Sequence, residues 1–192
     1  KHGIFDFFEK TSDDHRIRIV NRSNCRARPI WWYLNQAGYK TGMVNIPMTY
    51  PPDDVNGCMI SGFDTPSIKN EFTFPATLKD EIINSVGSYI IELDHNPRLM
   101  KDPERYVKEL INCIDIREKT VRYLTNRYAF DFFMVVFTAA DRVQHSFWKF
   151  IDKDHPYYSN EFEDAIFRIY KRIDEAVGRI IAPLDDSTDI IV

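Results

Sequence analysis

Apolar residues along this chain keep two alternating rhythms. Helical steps of three and four residues run through 29–37, 77–86, about 102–128 and 160–182. Pro29 suits the first turn of the first stretch, and Gly38 can close it in the left-handed conformation. Thr77 is placed to cap the second, with Asp80 in its first turn and Gly87 at its end. Asp102-Pro103 opens the third with a cap and a first-position proline, and Val107, Leu110, Ile111, Ile114, Val121 and Leu124 form its stripe. Asn160 caps the fourth. Phe162, Ala165, Ile166, Ile169, Ile173, Ala176, Val177, Ile180 and Ile181 line one face of it, and Pro183 stops it. Between these stretches, short apolar runs at 16–20, 42–46, 89–93, 131–138 and 189–192 read as strands. The alternation predicts an α/β fold in one domain, with a mostly parallel central sheet flanked by helices and right-handed crossovers.

One segment breaks both rhythms. Pro47, Pro51, Pro52, Gly57, Gly62 and Pro66 interrupt any regular element between 47 and 66. A segment of that length inside a compact domain is more often a functional loop than filler. It follows the carboxyl end of a candidate strand, so Thr49, Tyr50 and Asn56 become candidate substrate-binding residues. The plainer reading is a proline-stiffened loop with Tyr50 packed on the core. Ser61 to Pro66 reads as a turn or a lid.

The densest chemical signal follows the run 131–138. That run is continuous enough for a strand buried on both faces, and Asp141 and His145 come directly after it. Spaced i, i+4, they share one face of a helical turn. A carboxylate and an imidazole are common ligands for zinc-like cations. The plain alternative is that Asp141 caps a turn over 142–150 and His145 is an ordinary polar side chain. A catalytic zinc site usually has three protein ligands, and the further candidates His2, His15 and His95 are distant in sequence. His155, in a polar Asp-Lys-Asp-His-Pro stretch, reads as a solvated loop.

Bulk properties narrow the partners. A formal net charge of -4 supplies no basic excess for a nucleic-acid duplex, although a small phosphorylated substrate could be held through metal charge. No apolar run approaches the roughly 18 residues of a membrane span, and no signal peptide is visible. Cys25, Cys58 and Cys113 are odd in number and far apart, which predicts reduced thiols and a cytoplasmic setting. The chain has no G-x-G-x-x-G after a strand, no Walker-type loop and no G-x-S-x-G elbow. Trp31, Trp32 and Tyr33 lack basic interleaving and read as core.

Several segments together resemble a known family. They are His2-Gly3-Ile4-Phe5-Asp6-Phe7, Asn45-Ile46-Pro47-Met48-Thr49-Tyr50-Pro51-Pro52, Asn56-Gly57, Ser61-Gly62-Phe63 with Thr65-Pro66, and Thr138 through Trp148. In this order they resemble the type I phosphodiesterase/nucleotide pyrophosphatase family of the alkaline phosphatase superfamily, nearest its prokaryotic members. The resemblance implies an alkaline phosphatase-like α/β fold and two divalent metals, usually zinc. It also implies hydrolysis of phosphodiester or phosphoanhydride bonds through a Thr or Ser nucleophile. Asp141 and His145 match the Asp-x-x-x-His ligand pair of the metal thought to activate water. The first metal-binding Asp and the nucleophile would precede Lys1, and the second Asp-His pair and last His would follow Val192. The expectation is therefore a fragment of a larger catalytic domain, without a catalytic residue of its own and inactive in isolation. The alternatives are a non-catalytic α/β binding module that uses the 47–66 loop, or a phosphomutase or sulfatase of the same superfamily.

Overall fold

In the computed structural model, which describes residues 2–10, 16–93 and 99–192, six strands and five α-helices follow one another along the chain. They belong to two units, one made of Lys1–Ile91 with Leu124–Val136, the other of Glu92–Tyr123 with Phe137–Val192.

The first unit holds all the strands. β1 (Phe8–Lys10) and β2 (Ile17–Ile19) pair as an antiparallel hairpin, Phe8 opposite Ile19. β3 (Thr41–Ile46), β4 (Gly57–Ser61), β5 (Thr73–Phe74) and β6 (Phe132–Val135) form a four-stranded sheet in the order β5-β4-β3-β6. β3 is parallel to both β4 and β6, and only β5 runs antiparallel. β3 is buried at every position but its last, as an inner parallel strand must be. α1 (Ile30–Gln36) and α2 (Leu78–Val86) complete the unit. Trp31, Met43, Val55 and Met59 make a core, with Ile46, Phe74 and Phe132 packed against it. Asp53 pins that core from the side. One of its carboxylate oxygens accepts from Trp31 Nε1 at 2.8 Å and from Arg22 Nε at 2.8 Å.

The second unit is helical. It contains α3 (Pro103–Arg127) up to Tyr123, α4 (Ala139–Phe147) and α5 (Ala165–Ile181). Asp102 caps α3 as its sequence predicts, accepting from the Arg105 amide at 3.1 Å. Tyr106, Val107, Leu110 and Ile114 of α3 meet Val143 and Phe147 of α4 and Ala165, Ile169 and Ala176 of α5 in one apolar cluster. At its polar border, Glu118 accepts from Arg172 at 2.7 Å and from Arg179 at 2.8 Å.

The mixed α/β class and the mostly parallel sheet agree with the sequence reading, and they fit an alkaline phosphatase-like fold. Several elements differ. The 47–66 segment contains β4, whose apolar residues Cys58, Met59 and Ile60 are hidden between Gly57 and Gly62. Residues 89–93 form no strand; Tyr89 and Ile91 are buried from irregular backbone instead, and the antiparallel neighbour of β4 is β5. β6 is shorter than the 131–138 run and only half buried, because it has one neighbour among the described residues. Ser159, not Asn160, provides a cap, and it serves a short 3-10 turn ahead of α5. Ile190, Ile191 and Val192 are exposed and pair with no strand among the described residues. Trp31 is core, but Trp32 and Tyr33 are exposed.

Candidate functional site

In open parallel sheets, ligands bind beyond the carboxyl ends of the strands, where the strand order reverses. Here that point is β3: the chain steps to β4 on one side and later to β6 on the other. The carboxyl end of β3 carries Asn45 at φ 62°, where the pairing with β4 slips by one residue. Asn45 is fully buried, and neither its amide oxygen nor its amide nitrogen finds a partner among the described residues. Leaving such groups unpaired costs roughly 1–3 kcal/mol each, so this end of the sheet is polar by construction rather than by accident of exposure.

The loop that follows is folded back on this edge. Thr49 Oγ1 donates to the Ile46 carbonyl at 2.6 Å and accepts from the Gly62 amide at 3.1 Å. Ser61 Oγ donates to the Thr49 carbonyl at 2.8 Å. Gly62 is needed here, since a Cβ on it would lie 2.4 Å from the Ile46 carbonyl oxygen. Burial pushes the Asp64 carboxyl up to about 7, with the amides of Tyr50, Met48 and Thr49 pulling it down. Those amides face the carboxyl group, yet neither oxygen closes a hydrogen bond of good geometry.

The three substrate-binding candidates are not brought together. Thr49 is buried with its hydroxyl committed to the loop, and Tyr50 lies half-buried beside it. Asn56 lies at the amino end of β4, about 16 Å away along a five-residue strand. Its amide donates to the Gly38 and Tyr39 carbonyls at 3.1 and 3.3 Å. The reason is topological. Residues 47–56 form a bare return path between two parallel strands, so the segment must travel from one end of the sheet to the other.

Asp141 and His145 lie on α4 in the second unit. The helix starts at Ala139 with Thr138 before it, so Asp141 belongs to its first turn and is not its cap. Ala139, Val143 and Phe147 are buried, which turns the opposite face outward. Asp141 and His145 share that outer face, with side chains 63% and 70% exposed and His145 Nε2 3.2 Å from Asp141 Oδ1. Ligand atoms on a tetrahedral zinc with bonds of about 2.0–2.1 Å stand about 3.3 Å apart. The pair therefore fits one edge of a coordination tetrahedron and is open to solvent. No group of three or more His, Cys, Asp or Glu able to hold a metal occurs among the described residues. Of the other histidines, His15 and His95 lie outside the described residues. His2 Nδ1 accepts from the Ile4 amide, and His155 Nδ1 accepts from the Tyr157 amide.

Two residues escaped the sequence reading. Asn45 gave one faint signal, a polar amide near the end of an apolar strand. Asp64 gave none, since its burial comes from the loop closing over it. No described helix is long and apolar enough to cross a membrane. A family model described as type I phosphodiesterase / nucleotide pyrophosphatase matches residues 1–192. No curated protein and no solved structure matches the chain.

Proposed function

The chain belongs to the type I phosphodiesterase / nucleotide pyrophosphatase family, and from that membership we propose that Asp141 and His145 hold one divalent cation of a phosphodiester- or pyrophosphate-cleaving site. The family consists of hydrolases, generally metal-dependent, acting on small phosphodiester and nucleotide substrates. The observation that carries the residue assignment is the 3.2 Å separation of His145 Nε2 and Asp141 Oδ1 on one exposed helical face.

The mixed oxygen and nitrogen donor set suits zinc. A cation held there would set positive charge against the phosphoryl oxygens of the substrate. The chain's own part is orientation. Val143 and Phe147 lock α4 into its core, so the two side chains are presented without backbone rearrangement. Asp141 would offer the cation a carboxylate oxygen and His145 an imidazole nitrogen. Thr49 and Asn56 spend their side chains on the chain's own backbone. Burial pushes the Cys58 and Cys113 thiols up to about 12, which keeps them protonated and unreactive.

Two donors hold a cation weakly without a third. The 192 residues alone are thus expected to bind zinc loosely and to leave a chromogenic phosphodiester intact. Calorimetric zinc titration tests the site. Binding should weaken at least tenfold in both Asp141→Ala and His145→Ala, and unchanged binding in either would remove that residue from the assignment. Turnover of the diester by the wild-type chain that disappears in Asp141→Ala would show the site to be complete as it stands.

A further inference from the structure

The polar end of the first unit's sheet also contains a device that the cation site does not use. Residues 46–50 are held against 61–65 by neutral bonds: Met48 N–H to the Phe63 carbonyl at 3.1 Å, Gly62 N–H to Thr49 Oγ1 at 3.1 Å, and Ser61 Oγ to the Thr49 carbonyl at 2.8 Å. Asp64 carries the carboxyl group of these two segments. Both its oxygens are buried and unbonded among the described residues, and they face three consecutive amides, those of Met48, Thr49 and Tyr50. Met48 and Asp64 both hold positive φ, 60° and 90°, so the contact closes against backbone strain.

We propose that Asp64 is the proton-controlled pin of a clasp that fastens residues 47–52 over the carboxyl ends of β3 and β4. A buried carboxyl group without good hydrogen bonds resists ionisation, so the closed clasp favours its neutral form. Burial pushes this group up to about 7, and the three amides offset part of that effect. Among the described residues no charged side chain contributes to the displacement. On the facing segment the titratable group is the Tyr50 phenol; Asp53, further along, is engaged by Arg22 and Trp31. When the loop opens, the carboxyl group returns to its ordinary value of 3.8. The raised value belongs to the closed form. Closure is therefore fully favoured below about pH 4, and that advantage is lost as pH rises to about 7. Across that window the opening constant climbs by up to tenfold per pH unit, then levels off.

The test is a titration of the full chain by NMR from about pH 4 to about pH 9. The Asp64 carboxyl carbon should change with a midpoint near 7, the amides of Met48, Thr49 and Tyr50 should follow it, and Asp64→Asn should abolish the step. Amide exchange at these three residues, corrected for intrinsic rate, should show the rise and plateau in the wild type and a flat profile in Asp64→Asn. An Asp64 carbon that titrates near 4 in the wild type overturns the proposal without recourse to any variant. So does a step near 7 that persists in Asp64→Asn. Zinc binding on α4 is read separately, so neither result depends on the other.

Discussion

Asp53 shows how much a single carboxylate can organise. It binds the Trp31 indole and the Arg22 guanidinium through one oxygen, and its own amide lies 3.3 Å from Met59 Sδ. Asp53→Ala leaves a buried indole N–H and a mostly buried cation without their acceptor, and should cost about 2–3 kcal/mol. Asp53→Asn keeps an acceptor and should cost less. Urea midpoints of the two variants give the ordering. Gly62 makes a sharper demand. Its missing Cβ leaves room for the Ile46 and Asn45 carbonyls, which are backbone and cannot swing away. Gly62→Ala should destabilise by about 1–3 kcal/mol, the range of a locally strained backbone. If its urea midpoint equals the wild type's, the Ile46 and Asn45 carbonyls do not crowd this position.

At the scale of elements, the long helices and the β2 strand were legible, whereas α4, β4 and β5 were not. α3 and α5 announce themselves because local spacing carries their pattern: Val107, Leu110 and Ile114 repeat, as do Ile166, Ile169 and Ile173. β4 and β5 depend on a partner remote in sequence. Cys58, Met59 and Ile60 make too short a run to outvote the glycines beside them, and Thr73-Phe74 is a strand only because β4 lies next to it. The candidate residues of the two units differ in the same way. The Asp141–His145 pair was readable because i, i+4 geometry is local. The orphaned Asn45 amide and the buried Asp64 result from folding over distance.

Helix packing in the second unit makes two predictions. Ile169, fully buried where α5 meets α3 and α4, should cost about 2–5 kcal/mol as Ile169→Ala by thermal or urea unfolding. Glu118 gives a pH signature. Burial pushes it up, but the Arg179 and Arg172 hydrogen bonds outweigh this and hold it below the usual carboxylate range. A lowered carboxyl contributes stability above its unfolded value, near 4.5, and loses it as pH falls through the still lower folded value. Glu118→Gln should therefore be less stable than wild type at neutral pH, with the gap closing below about pH 4. A gap that stays constant into acid would mean the two arginine bonds contribute no net stability.

For the molecule as a whole, family membership sets the reaction class and the chain's own residues set what can be measured on it. The sheet carries a further consequence. β3 receives its second neighbour only from residues 132–135, and the Lys40 amide reaches Asp131 across 91 positions to seal that side. On the ribosome, β3 must therefore wait with one flank bare while some ninety residues emerge, and a bare flank invites pairing with other nascent chains. Chains terminated at Arg127 should collect in the insoluble fraction on expression to a greater extent than the 192-residue chain. The hazard in making this protein thus lies in the order in which its parts are delivered.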